Sequence, residues 1–126
     1  MYGYVKVGSA VPKLRVADCV YNKEEILKLV EAAAAKQVRV LSFPELSVTG
    51  YTCADLFFQA PLLHAAEQAI QEIAEATEAL NIFLLIGAPI AVDNQMFNCA
   101  VALYKGKLLG IVPKTHIPNY SEFYEE

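Results

Sequence analysis

The 126 residues carry 10 Lys+Arg against 14 Asp+Glu, a net charge of −4, and with no clustered basic residues this excludes a nucleic-acid footprint or an anionic membrane surface as the expected partner. The length allows one domain or part of a larger one. The chain is 56% hydrophobic, and with Gly counted in place of Tyr still about 55% against ~45–50% for ordinary soluble domains, so the surplus asks for a partner or for the remainder of the same domain.

The first residues, Met1 to Lys6, lack a basic run followed by an apolar core, so no export signal is read and a cytoplasmic location is expected. Val5 and Val7 alternate as one face of a first strand within residues 4–10. Asn22 stands three residues before Glu25 in a capping-box arrangement, and Ile26, Leu27, Val30, Ala33 and Ala34 follow at helical spacing, which predicts a helix over 23–36 with Asn22 as N-cap. Residues 38–43 are short, β-branched and apolar on both faces, as in a central strand, and Pro44 ends it. Pro61 suits the first turn of a second helix whose stripe is Leu62, Leu63, Ala66, Ile70, Ile73, Thr77 and Leu80. Residues 82–87 read as another apolar strand, ended by Gly87 and Pro89. The longest apolar stretch, Ile82 to Val92, is too short to span a bilayer. Finally Phe97, Cys99, Val101 and Leu103 alternate with Asn98, Ala100, Ala102 and Tyr104, and Lys105-Gly106 turns the chain into residues 107–112 as a hairpin.

The order β-α-β-α-β-β-β predicts an α/β fold with a mixed sheet. Right-handed crossovers place both helices on one face, which leaves the other, itself apolar, uncovered.

No phosphate-cradling glycine motif occurs, which disfavours nucleotide binding by these residues. Cys19, Cys53 and Cys99 have neither zinc spacing nor a His partner, so no metal is expected and they read as reduced, buried or incidental. His64 and His116 read as surface or structural histidines. Glu45 lies two residues past a buried strand, where reactive groups collect in open α/β sheets, although a loop carboxylate is more often merely solvated. Lys114 follows a strand and a proline in the same way. Together an anionic base and a fixed cation are what acyl transfer on an amide needs: one takes a proton from the nucleophile, the other holds the charge developing on the carbonyl oxygen.

Phe43-Pro44-Glu45-Leu46 with Gly50-Tyr51, followed by Pro113-Lys114, Pro118, Tyr120 and Glu122-Phe123-Tyr124-Glu125, resembles the nitrilase (carbon–nitrogen hydrolase) superfamily. Within it, Tyr4 to Val7, Pro12 to Cys19 and Gly50 to Phe57 are similar to the N-terminal glutaminase domains of glutamine-dependent NAD synthetases. The resemblance covers residues 1–126 and implies half of an α-β-β-α sandwich. It implies Glu45 as general base, Lys114 as oxyanion cation, and Tyr51, Tyr120 and Phe123 near the glutamine pocket, with packing an equal reading for these aromatics. The base must hold a proton between steps, which asks for partial burial of Glu45. In the family the nucleophilic Cys lies beyond the lysine, and no cysteine follows Cys99 here. The chain is therefore expected to be the first half of a glutaminase domain, inactive alone and self-associating through its apolar sheet face. The implied substrate is glutamine and the domain itself needs no cofactor. ATP, Mg and deamido-NAD belong to a C-terminal synthetase domain, and a homo-oligomer is expected. A stand-alone amidase of the same superfamily and a non-catalytic α/β interaction module are the alternatives.

Overall fold

The structure, a computed structural model, describes residues 5–49, 60–92 and 95–113. Its elements follow the expected order: β1 (Val7–Ser9), α1 (Cys19–Ala35), β2 (Val40–Ser42), α2 (Ala60–Ala76), β3 (Phe83–Val92), β4 (Gln95–Tyr104) and β5 (Lys107–Pro113). One mixed sheet runs β1-β2-β3-β4-β5. Its first three strands are parallel, and β4 and β5 are added antiparallel.

Each helix buries one stripe. In α1 the stripe is Cys19, Asn22, Ile26, Val30 and Ala33, and in α2 it includes Leu62, Ala66, Ala69, Ile70 and Ile73, with the helical spacing that an apolar face requires. The helices pack on each other and, with Leu41, Leu84, Ile86, Val101 and Leu103 of the sheet, form one core. Both lie on the same face, as the handedness of the crossovers dictates. On the opposite face Val7, Ala100 and Val112 remain accessible.

Three local readings are corrected. Helix α1 begins four residues before the expected start, because Asp18 is its N-cap: the Asp18 carboxylate accepts from the Tyr21 N–H at 3.0 Å. Asn22 is instead wholly buried, its side chain engaged in tertiary hydrogen bonds. The second correction concerns β3, which continues through Gly87 and Pro89 to Val92. β2 pairs with it only as far as Leu85, so beyond that point β3 has a strand neighbour on one side only, where a proline lacking its N–H is tolerated. Third, the central strand is shorter than residues 38–43, with only Val40–Ser42 paired.

The hairpin turn is as expected. Lys105 (φ 49°) and Gly106 (φ 83°) both take the left-handed region, which a two-residue I′-type turn demands.

Candidate active site

Where β2 stops, the chain is still hooked to β3, since the Phe43 N–H donates to the Leu85 carbonyl at 2.9 Å. Pro44 offers no N–H, and residues 45–49 close into a turn. Leu46 adopts φ 52°, a strained value for a branched side chain that persists only where surroundings over-determine it. Here they do. The Leu46 side chain is buried, the Val48 N–H donates to the Gly87 carbonyl at 3.1 Å, and the Ser47 hydroxyl accepts from the Gly87 N–H at 3.2 Å while donating to the Gly87 carbonyl at 3.4 Å. From the other side the Ala17 N–H reaches the Thr49 carbonyl at 2.7 Å. Asn22 completes the clamp: its Nδ2 donates to the Val48 and Arg15 carbonyls, both at 2.8 Å, and its Oδ1 accepts from the Arg15 N–H at 2.7 Å.

Gly87 is what lets the turn lie against the sheet. A Cβ at this position would stand 2.4 Å from the Leu46 nitrogen and 2.5 Å from the Pro44 carbonyl oxygen. Both are backbone atoms, so no side-chain adjustment relieves the clash.

The turn delivers Glu45 to an open cleft of about 280 Å³ whose walls include Gly87, Asn98, Cys99, Ala100 and Pro113. Its Oε2 accepts from Asn98 Nδ2 at 3.4 Å, and Asn98 is only 4% exposed. The partial burial expected for Glu45 is not supplied by the described residues, among which it is exposed. The cleft opens on the sheet face that carries no helix, so nothing among the described residues covers the carboxylate. Cys99, buried in β4, shares the cleft, and its thiol donates to the Phe97 carbonyl at 3.6 Å.

Of the candidates read from sequence, Glu45 is placed, whereas Tyr51, Lys114, Tyr120 and Phe123 lie outside the described residues, as do Cys53 and His116. His64 is exposed on α2. Sequence reasoning missed Gly87, Ser47, Asn22 and Asn98. The available signal was faint: a polar residue within an apolar strand alternation for Asn98, and a glycine inside an apolar run for Gly87. Among the described residues no group of three or more His, Cys, Asp or Glu could hold a metal, and no helix is long and apolar enough to cross a membrane.

Comparison with known proteins supplies the remaining findings. The carbon–nitrogen hydrolase family matches residues 6–126. A glutamine-dependent NAD(+) synthetase from Mycobacterium leprae is 35% identical over 123 residues, an alignment covering 98% of this chain and 18% of that relative. The chain thus spans about a fifth of the length of such relatives. The crystal structure of a glutamine-dependent NAD(+) synthetase from Cytophaga hutchinsonii superposes with TM-score 0.88 at 28% identity, over 95% of this chain and 20% of that one. An amidase from Nesterenkonia sp. shares the fold, with TM-score 0.79 at 20% identity over 94% of this chain and 45% of its own.

Proposed function

The chain belongs to the carbon–nitrogen hydrolase family, and from that premise we propose that it forms the first half of the glutaminase domain of a cytoplasmic glutamine-dependent NAD synthetase, with Glu45 as general base and Lys114 as oxyanion cation. The observation that carries this reading is the over-determined turn that holds Glu45 over Gly87 in a cleft one of whose walls is Pro113, the residue bonded to Lys114. A rigid base beside a strand end that leads directly into a lysine fits amide hydrolysis better than it fits two unrelated surface charges.

In this reading the nucleophilic thiol comes from sequence after Lys114. Glu45 takes the thiol proton, and the thiolate attacks the carboxamide carbon of glutamine. Lys114 and backbone N–H groups hold the tetrahedral oxyanion. Collapse breaks the C–N bond, and Glu45 returns its proton to the departing ammonia. Water then attacks the thioester while giving a proton to Glu45, and glutamate leaves as the thiol recovers that proton. Tyr51, Tyr120 and Phe123 bind near the glutamine. The domain itself uses no cofactor. Its ammonia serves an ATP- and Mg-dependent amidation of deamido-NAD in a C-terminal synthetase domain, and the apolar sheet face is covered by the rest of the domain or by a second copy.

Ammonia release from glutamine tests the proposal in the natural full-length protein. Lys114→Ala is expected to lower kcat by about 10²-fold or more, as for loss of an oxyanion donor, and Glu45→Gln to abolish turnover. Full activity in either variant overturns the assignment. A preference for simple amides over glutamine, in a parent without a synthetase domain, favours a stand-alone amidase instead. The 126-residue chain alone is expected to release no ammonia.

A further inference from the structure

The strand pair β3–β4 does more than support the Glu45 turn. Gly87 of β3 receives the backbone of that turn, and two positions further along the same ladder Asn98 of β4, opposite Pro89, sends its amide to the Glu45 carboxylate at 3.4 Å. Asn98 is almost wholly buried in a paired strand, so its donor is fixed by the sheet, whereas Glu45 is an exposed side chain on a turn. From this we infer that Asn98 is a positioning residue for the reaction proposed above, on which the inference rests: it fixes the plane of the Glu45 carboxylate against the cleft.

The residue type matters. A lysine or arginine at this position would favour the ionised carboxylate, and a base that must take the thiol proton would then accept it poorly. A neutral amide orients the group by donating to it without adding a charge. A hydroxyl on the shorter serine side chain would not reach as far from the strand. Asn98 thus meets two demands at once, reach and charge neutrality. The contact is long by the standards of a folded network, as such contacts are before substrate closes a site.

The test uses the natural full-length protein, with ammonia release followed over a range of glutamine concentrations. Asn98→Ala is expected to lower kcat by about tenfold while leaving KM for glutamine within about twofold, since misorientation of a catalytic group acts on turnover. Asn98→Asp keeps the shape but replaces the donor with a second carboxylate, and should lower kcat at least as far. A purely structural role would lower the melting temperature and leave kcat of the folded fraction in place. If Asn98→Ala does not fold, the isosteric Asn98→Asp carries the test. Unchanged kcat in the folded variants overturns the positioning role. Glu45→Gln in parallel separates the two ideas: an inactive Glu45→Gln beside a wild-type Asn98→Ala refutes only this inference, whereas an active Glu45→Gln refutes the reading beneath it.

Discussion

On the face toward the helices, Leu41, Leu84 and Leu103 stand in register across three strands and are at most 3% exposed. On the other face the corresponding row of Gly87, Ala100 and Val112 carries small or accessible residues, and it is there that the Glu45 turn rests. The first face is built like any core, each leucine contributing about 1.5–3 kcal/mol by burial. The second is built for approach, with a missing side chain at Gly87 and a strained Leu46. The difference teaches that on these strands the packed core and the proposed site occupy opposite sides, separated by the period of two that strand geometry imposes.

Two substitutions three residues apart in β3 break the comparison most sharply. In the natural full-length protein Leu84→Ala should cost about 2–5 kcal/mol of stability through the cavity it leaves, while the folded fraction keeps its turnover. Gly87→Ala should lower turnover by two orders of magnitude or more, since the turn must shift bodily and displacements of about 1 Å already cost ~10²-fold. Denaturant unfolding and ammonia release, measured on both variants, give four numbers. Equal loss of activity in the two would show that the faces are not separable.

Asn22 joins the faces, since it lies in the buried stripe of α1 yet holds the Glu45 turn at Val48. Asn22→Leu should destabilise by about 2–4 kcal/mol, because the orphaned Val48 carbonyl in the buried bond costs ~1–3 kcal/mol and the two part-buried Arg15 groups add less, having access to water. It should also reduce turnover, where Leu84→Ala does not. Wild-type turnover in Asn22→Leu would confine this residue to the core side of the comparison.

The same division governs what could be read in advance. The order of elements, the second helix with Pro61 in its first turn, and the Lys105-Gly106 hairpin were legible because their causes are local: a stripe, a missing donor, a positive φ. That Glu45 lies just past a strand was legible as well. Asn22 misled, since a capping-box spacing is a local pattern and the residue is claimed by carbonyls elsewhere in the chain. The end of α1 was read to within one residue, but the geometry of its cap was hidden. It closes with the Val38 N–H on the Ala33 carbonyl and the Gln37 N–H on the Ala34 carbonyl, a Schellman arrangement that normally advertises itself by glycine but here uses Gln37 at φ 62°. Gly87 and Pro89 read as strand breakers because their tolerance depends on where β2 stops pairing. Asn98 could not be paired with Glu45 at all, since 53 residues separate them.

Gln37 offers a smaller and opposite effect, remote from both faces. It is exposed and left-handed, so Gln37→Gly relieves the Cβ strain and should stabilise by about 0.5–1 kcal/mol, raising the denaturation midpoint without altering turnover. A loss of stability would mean that the unfolded chain gains more freedom from the glycine than the folded cap gains in relief.

The smallest effect lies on the helices, farthest from the chemistry. Lys23 of α1 meets Glu72 of α2 at 2.6 Å and Glu24 at 3.3 Å. The hydrogen bond it donates to Glu72 raises the Lys23 pKa above its ordinary 10.5, against a lowering by burial. The hydrogen bonds from Lys23 and then Gln68 lower the Glu72 pKa below its ordinary 4.5. A depressed carboxyl stabilises the fold above its unfolded value and loses that contribution as pH falls through its folded one, while a raised lysine contributes below its unfolded value and loses this only as pH rises through the folded one. The pair is therefore fully engaged across the neutral range. Glu72→Gln should lower the melting temperature slightly and by a constant amount near neutrality, less at high salt, and the gap from wild type should close as the solution is acidified well below the carboxylate range. A gap that persists there would trace the loss to packing of the residue-72 side chain between the helices rather than to its charge.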